Sequence, residues 1–394
     1  MSKFIICFLF TVLTYGLGFA QTAKTKIPFE LFGEHIFIKL QVNDSEPLDF
    51  IFDTGDGLTV LDINKARDLK ILSDAKVTKT SAGGTVTGAL LKHQKITVGG
   101  QDISDVELYE TSLNHLEISI GRNIDGIIGY DVLKNFAVRI DYNTMEFSLY
   151  DKDNFKYSGS GDQFDLDLHN YIPYIPGTVT LANGETLKGD FFVDTGAGTT
   201  LDFNTPFVDK HKMIIKIGNQ YSYLVSGISD NETMHYKGKA ALFKFGSFVF
   251  NGIPIGMSQA EHGIQASKKI DGILGNELLK RFNMVLDYEG GKIYMERNDV
   301  FDNVFRIDAA GFDLQYGSGM EDVFIHVIHE NSPAAAEGIE ANAQLIEVAG
   351  KAVSAYSLPE LKNLFSNAND QSVAIKILQN GEYLDIELPL KNLL

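Results

Sequence analysis

The sequence predicts a mainly β protein: two similar units related by a pseudo-twofold axis, followed by a smaller α+β module. Three observations predict it. Two motifs recur in the same order about 140 residues apart. Strand-length apolar runs bounded by Gly, Asn and Asp fill both units. The repeat stops near residue 307, where a new pattern begins.

The repeat is read first. Residues 50–62 read FIFDTGDGLTVLD and residues 191–203 read FFVDTGAGTTLDF. Residues 124–150 read IDGIIGYDVLKNFAVRIDYNTMEFSLY and residues 270–296 read IDGILGNELLKRFNMVLDYEGGKIYME. Two motifs in one order with nearly one separation indicate duplication of a structural unit. The units span 27–150 and 164–298, joined by the polar, Gly/Ser-containing segment 151–163. EHIFIKLQV, LDFIF and FAVRIDY read as strands in the first unit, TLKGDFFVD, ALFKFGSFVF and KIYM in the second. One short helix per unit is expected, near DVLKNF and NELLKRF.

The chain opens MSKFIICFLFTVLTYGLGFA, with one charge at Lys3 and an uncharged, mostly apolar run of 16 residues from Phe4 to Phe19. That is short for a membrane span. Gly18 and Ala20 stand at −3 and −1 of a cut before Gln21, so residues 1–20 read as a signal peptide. The expectation is export to the periplasm or beyond, with no stable membrane span in the mature chain. Cys7, the only cysteine, lies inside this segment, so disulfides, thiol nucleophiles and Cys-based zinc sites are excluded from the mature chain. An exported chain without disulfides points to a bacterial source. The formal net charge is −18, one unit more negative without Lys3. Such an acidic balance argues against nucleic acid and anionic membranes as partners.

The chemistry sits where apolar strands run into Asp-Thr-Gly, at Asp53 and again at Asp194. Glycine after the threonine permits a tight turn. One such loop is weak evidence, because a lone Asp in a turn is usually a local cap. Two, placed equivalently in repeated units, would face each other across a pseudo-twofold axis. Two adjacent carboxylates cannot both ionise readily, so they share a proton and their apparent pKa values split. The ionised member can take a proton from a bound water, and the protonated member can donate to a carbonyl oxygen and then to a leaving amine. Neither a covalent intermediate nor a metal is required.

FDTG and VDTG, each followed by an apolar-apolar-Gly element (Ile127-Ile128-Gly129 and Ile273-Leu274-Gly275), resemble the pepsin/retropepsin superfamily of aspartic peptidases over roughly residues 27–298. The units look closer to a fused pair of retropepsin-like units of bacterial type than to long, disulfide-bonded pepsins. The resemblance implies two acid-protease β-barrel lobes, peptide or protein substrates and no cofactor. It implies that Asp53 and Asp194 form the catalytic dyad. It further implies that Thr54 and Thr195 cross-bond the loops, and that Gly55 and Gly196 are the loop glycines. Asp125 and Asp271 are read as structural turn residues. Asp56 departs from the pattern, which usually has Ser, Thr or Ala after DTG as at Ala197. A third carboxylate pointing inward would raise the dyad pKa values. A flap over the cleft is expected at SAGGTVTG (81–88), with Gly83 and Gly84 at its tip, and at YLVSGISDN (223–231) in the second unit.

The nine histidines show no ligand-like spacing, and no metal is expected. His326 and His329 are placed on opposite faces of a strand. There is no G-x-S-x-G, H-E-x-x-H or P-loop.

Residues 307–391 make the last module. Ser332-Pro333-Ala334-Ala335 entering a helix ended by Gly338, and Ile346-Glu347-Val348-Ala349-Gly350-Lys351, resemble PDZ domains of bacterial proteases, although Asn342-Ala343 replaces the usual Gly-Asp. The Asn380-Gly381 pair signals a hairpin. The resemblance implies capture of a peptide C-terminus by strand addition, with Gly311 and Phe312 in the carboxylate-holding loop. The leading expectation is an aspartic endopeptidase. The alternative is a catalytically silent peptide-binding protein that keeps the cleft.

Overall fold

The computed structural model describes residues 21–73, 75–81, 84–169, 171–366 and 371–394. The expected signal peptide and Gly83 lie outside the described residues. The protein is mainly β.

Each unit is built on the same three strands. In the first, Leu48–Phe52 lies parallel to Gly126–Ile128, and Val60–Asp62 runs antiparallel on the other side of that strand. In the second, Thr186–Asp194 lies parallel to Gly272–Gly275, with Leu201–Phe203 antiparallel to it. The central strands have neighbours on both edges and are buried on both faces. That explains why LDFIF and FFV are continuous apolar runs rather than alternating ones.

The units share one hydrophobic core. Phe136–Asp141 of the first pairs with Phe282–Asp287 of the second, Ile140 opposite Met284, so a continuous sheet bridges them. The connecting segment is not all loop, because Asp162–Asp165 pairs with Lys292–Arg297. The shared core also continues past 298: Phe301 and Phe305 are buried in it against Phe250, at ring distances of 5.0 and 5.8 Å.

The helices near DVLKNF and NELLKRF are single turns, Tyr130–Leu133 and Asn276–Leu279. Further helices that the sequence reading did not anticipate occur at Ile63–Asp68, Asn114–Ile120, Thr205–His211 and Met213–Lys216. The first follows from a cap: the Asp62 carboxylate accepts from the Asn64 and Lys65 amides, satisfying two of the donors a helix start leaves free.

The last module has its own core, with Ile325, Leu345, Leu361 and Ile377 at its centre. Its strands run in the order Phe312–Tyr316, Val323–Ile328, Gln344–Val348, Ser372–Gln379, Glu382–Pro389. Asn380 (φ 53°) and Gly381 (φ 84°) form the two-residue hairpin turn that this dipeptide favours. No helix of the described residues is long and apolar enough to cross a membrane.

This module is seated on the paired units. The His326 Nε2 lies 2.7 Å from Glu232 Oε1, and the His329 ring packs on Tyr221 at 4.5 Å. Pro359 lies against Gly33, and Leu358 against Gly121.

Candidate active site

The three-strand motif decides where Asp53 and Asp194 point. Each strand ends at its aspartate, and the neighbouring strand from the apolar-apolar-Gly element holds the turn. Asp53 N donates to Ile128 O (2.9 Å), and Asn276 N donates to Ala197 O (2.7 Å). The turns bring the two carboxyl groups into hydrogen-bonding reach of each other. A Cβ on Gly55 would sit 2.6 Å from Asp194 Oδ2, and one on Gly196 would sit 2.2 Å from Asp53 Cγ. Both distances are impossible for a real side chain. The loop glycines are therefore the space into which the opposite carboxylate fits.

Thr54 and Thr195 lock the loops together from beneath. The Thr54 amide donates to Thr195 Oγ1 at 3.1 Å, and the Thr195 amide donates to Thr54 Oγ1 at 3.1 Å. Each hydroxyl in turn donates across the interface, Thr54 to Val193 O (2.5 Å) and Thr195 to Phe52 O (3.0 Å). Both side chains are fully buried. Replacing Thr54 by Val would orphan the Thr195 amide and the Val193 carbonyl. Each buried orphan costs about 1–3 kcal/mol. The expected result is a large fall in Tm for Thr54→Val and a small one for Thr54→Ser, read by thermal denaturation.

The dyad is not electrostatically symmetric. Burial and the neighbouring Asp194 push the Asp53 carboxyl well above its usual range, and Asp56 adds to this. Burial also raises Asp194, opposed first by its hydrogen bond with Asp53 and then by Ala197 N (3.0 Å) and Gly196 N (2.9 Å), which both donate to its Oδ1. Asp53 receives one such amide, from Gly55 at 2.7 Å. A carboxylate holding more amide donors is the better anion, so Asp194 holds a negative charge more easily than Asp53.

Asp56 points inward. It is 7% exposed, its Oδ1 accepts from Leu58 N at 3.1 Å and lies 3.6 Å from Lys79 Nζ, and its Oδ2 has no hydrogen-bond partner among the described residues. Its negative charge raises both dyad members. Asp56→Ala should therefore lower the dyad pKa values and move the acid limb of a pH–rate profile to lower pH. The freed Lys79 cation would add to the shift. A profile superimposable on wild type would show that Lys79 already cancels the Asp56 charge.

Residues 38–132 match the family model described as aspartyl protease. The matched stretch contains the Asp53 loop and the Ile127-Ile128-Gly129 element. Among solved structures, the aspartic proteinase from Irpex lacteus is similar at 14% identity, covering 71% of this chain and 99% of that one, with a TM-score of 0.45. No curated protein matches.

A cavity of about 790 Å³ opens over the dyad. Ala75–Ser81 and the start of Gly84–Val98 form one hairpin beside it, with Gly84 opposite Ser81 at its tip. Tyr221–Val225 and Thr233–Lys239 form another, whose loop supplies Ser226, Gly227 and Ile228 to the cavity wall. The hairpins meet, since Ser229 N donates to Ser81 Oγ at 3.1 Å. His115 Nε2, at 2.8 Å from Gly227 O, ties the second hairpin to the helix Asn114–Ile120.

Asp125 and Asp271 serve the backbone, accepting from Asp49 N (2.8 Å) and Asp190 N (3.0 Å). Among the described residues no cluster of three His, Cys, Asp or Glu could hold a metal. Gly311 and Phe312 do not present an open anion site. The amides of Ala310 (3.3 Å) and Gly311 (2.9 Å) already donate to the Asp308 carboxylate. Burial pushes Asp308 up to about 7, with Asp313 adding to it. Phe312 is buried against Phe365 at 5.0 Å. The edge strand Phe312–Tyr316 is packed against the first unit's helix Asn114–Ile120.

Sequence reasoning missed His35, Pro359 and Lys362, which line the cavity with the dyad. Burial lowers the His35 pKa to about 4, against the pull of Glu34. Pro359 and Lys362 belong to another module, and no local motif marks them.

Proposed function

We propose that this chain is an aspartic endopeptidase, exported as a secreted or periplasmic enzyme. One observation carries the reading: two carboxyl groups in hydrogen-bonding reach, each occupying the space that the other loop's glycine leaves. A silent binding protein has no physical need for that arrangement. Asp194, with two amide donors, acts as the base that takes a proton from a water held between the carboxylates. Asp53, carrying the shared proton, donates to the scissile carbonyl oxygen as the water attacks. Proton return to the amine nitrogen then breaks the C–N bond and releases two peptides. The hairpin roof excludes solvent and holds an extended peptide across the dyad.

The last module serves as a wall of the cleft, and its Gly311–Phe312 loop is not where a free peptide C-terminus is received. Its loop amides are taken by Asp308, and a helix of the first unit lies on its edge strand. The test is digestion of an unfolded protein mixture across pH, with and without a pepstatin-type inhibitor. Inhibitor-sensitive cleavage supports the reading, and intact substrate at every pH overturns it.

A further inference from the structure

The chain is strongly acidic, yet the cavity end bounded by the last module is cationic. The helix Leu358–Leu364 is fixed in place before any substrate arrives. Its Ser357–Glu360 capping box is complete, with Ser357 N donating to Glu360 Oε2 at 2.7 Å, and Leu358 and Leu361 are buried in the module core. Pro359 and Lys362 are three residues apart and therefore share a face. That face lines the same cavity as Asp53 and Asp194.

Lys362 is short of counter-charge. Its ammonium has three donors. One goes to the carbonyl of Ser119 at 3.0 Å. Among the described residues no carboxylate lies within 4 Å of it. Asp313 is the anion that acts on it, from beyond ion-pair distance, and burial lowers its pKa to about 8. Arg306 lines the cavity too, and its nearest anion is Glu34 at 3.9 Å, which already pairs with Lys280 at 2.5 Å. At this end the cavity wall thus carries two cations, Arg306 and Lys362, and one carboxylate, Glu34, which Lys280 already pairs. A half-buried cation with unused donors is costly unless an anion arrives to use them.

We propose that Lys362 is a specificity residue: the last module lends it to the cleft to bind a carboxylate of the peptide substrate, either an Asp or Glu side chain or a free C-terminus. The inference rests on the peptidase reading and names the substrate class of that site. The ammonium would sit at one end of the peptide path, the dyad at the middle, and the helix that carries the cation would fix the distance between them. This also accounts for the fusion of the module to the paired units: it completes the substrate site.

The test uses the full chain and one acetylated parent peptide, a sequence that wild type cleaves in a peptide-library digest. Each position is replaced in turn by Glu or Gln, and the parent is made with a free or an amidated C-terminus. A charge-assisted hydrogen bond predicts kcat/KM about tenfold or more higher for the Glu member than the Gln member at one position, or for the acid over the amide. The first result names a side-chain carboxylate, the second a terminal one. The gain should appear mainly in KM. In Lys362→Met the ratio should collapse toward one, and in Lys362→Arg it should largely persist. Equal rates for every Glu/Gln and acid/amide pair in wild type would overturn the proposal. So would an unchanged ratio in a folded Lys362→Met protein. The same peptides, fluorescently labelled, are also titrated by anisotropy against Asp53→Asn protein with and without Lys362→Met. If wild type cleaves nothing, the peptidase reading fails, and the parent is instead the labelled library peptide that binds the Asp53→Asn protein most tightly, whose anisotropy ratios still decide the role of Lys362.

Discussion

Asp53→Asn and Asp194→Asn should each reduce kcat by about 10²–10⁴-fold or more, the contribution of a positioned acid or base. Asn keeps the shape of the side chain and can still accept from the loop amides. It cannot share a proton with the opposite carboxylate, so the attacking water loses its base or the carbonyl loses its acid. The same substitutions should leave Tm unchanged or raise it. In wild type, burial holds both carboxyls above their ordinary range, and Asp194 raises Asp53 further. A carboxyl whose folded pKa is raised costs stability as pH rises above its unfolded value of about 3.9. The Asn variants remove one such group, so their Tm advantage should be smallest near pH 4 and widen above it. Loss of activity together with equal or greater stability is the mark of a catalytic pair under strain. A variant with near-wild-type kcat would remove that aspartate from the mechanism. Parallel loss of activity and Tm would make it a structural residue.

The dyad was legible because duplication placed the same strand, turn and glycine element twice, and each copy folds by local rules. FIFDTG and FFVDTG state a doubly buried strand, a tight turn and its carboxylate, and the structure adds only their meeting. The two hairpins beside the cavity were legible for a similar reason, since hairpins leave turn residues in the sequence. The inward direction of Asp56 was not, because it depends on Lys79 from another strand. Nor was the wall formed by Pro359 and Lys362. Their helix is capped and amphipathic like any packed helix, and nothing local says that its outer face meets a cleft. The Gly311–Phe312 loop misled for the opposite reason. Its local pattern is that of an anion-holding turn, but Asp308, three residues before Gly311, supplies the anion internally.

The C-terminal boundary gives the second large effect. A chain ending at Asn298 should not fold, whereas one ending at Ile307 should. Residues 299–306 look like a connector in sequence, yet Phe301 and Phe305 are 6% and 8% exposed within the shared core. Loss of a buried Phe side chain costs roughly 3–5 kcal/mol. The strap also supplies acceptors to a buried cation. Arg281 Nη1 donates to the carbonyls of Val300 (3.3 Å), Phe301 (3.1 Å) and Asn303 (2.5 Å), and its guanidinium lies 3.8 Å from the Phe305 ring centroid. Cutting at Asn298 would leave that charge buried without these partners, at a further cost of a few kcal/mol. The sum is comparable to the whole stability of a typical domain, about 5–15 kcal/mol. The chain ending at Ile307 keeps every one of these contacts and loses only the module behind them. It should show a cooperative thermal transition by circular dichroism, while the shorter chain shows none. Its kcat/KM on short peptides should nevertheless fall, because Pro359 and Lys362 leave the cleft wall and the second hairpin loses the His326–Glu232 contact. A folded chain ending at Asn298 would show that the aromatic strap is dispensable. Undiminished peptide turnover by the chain ending at Ile307 would show that the module does not shape the cleft.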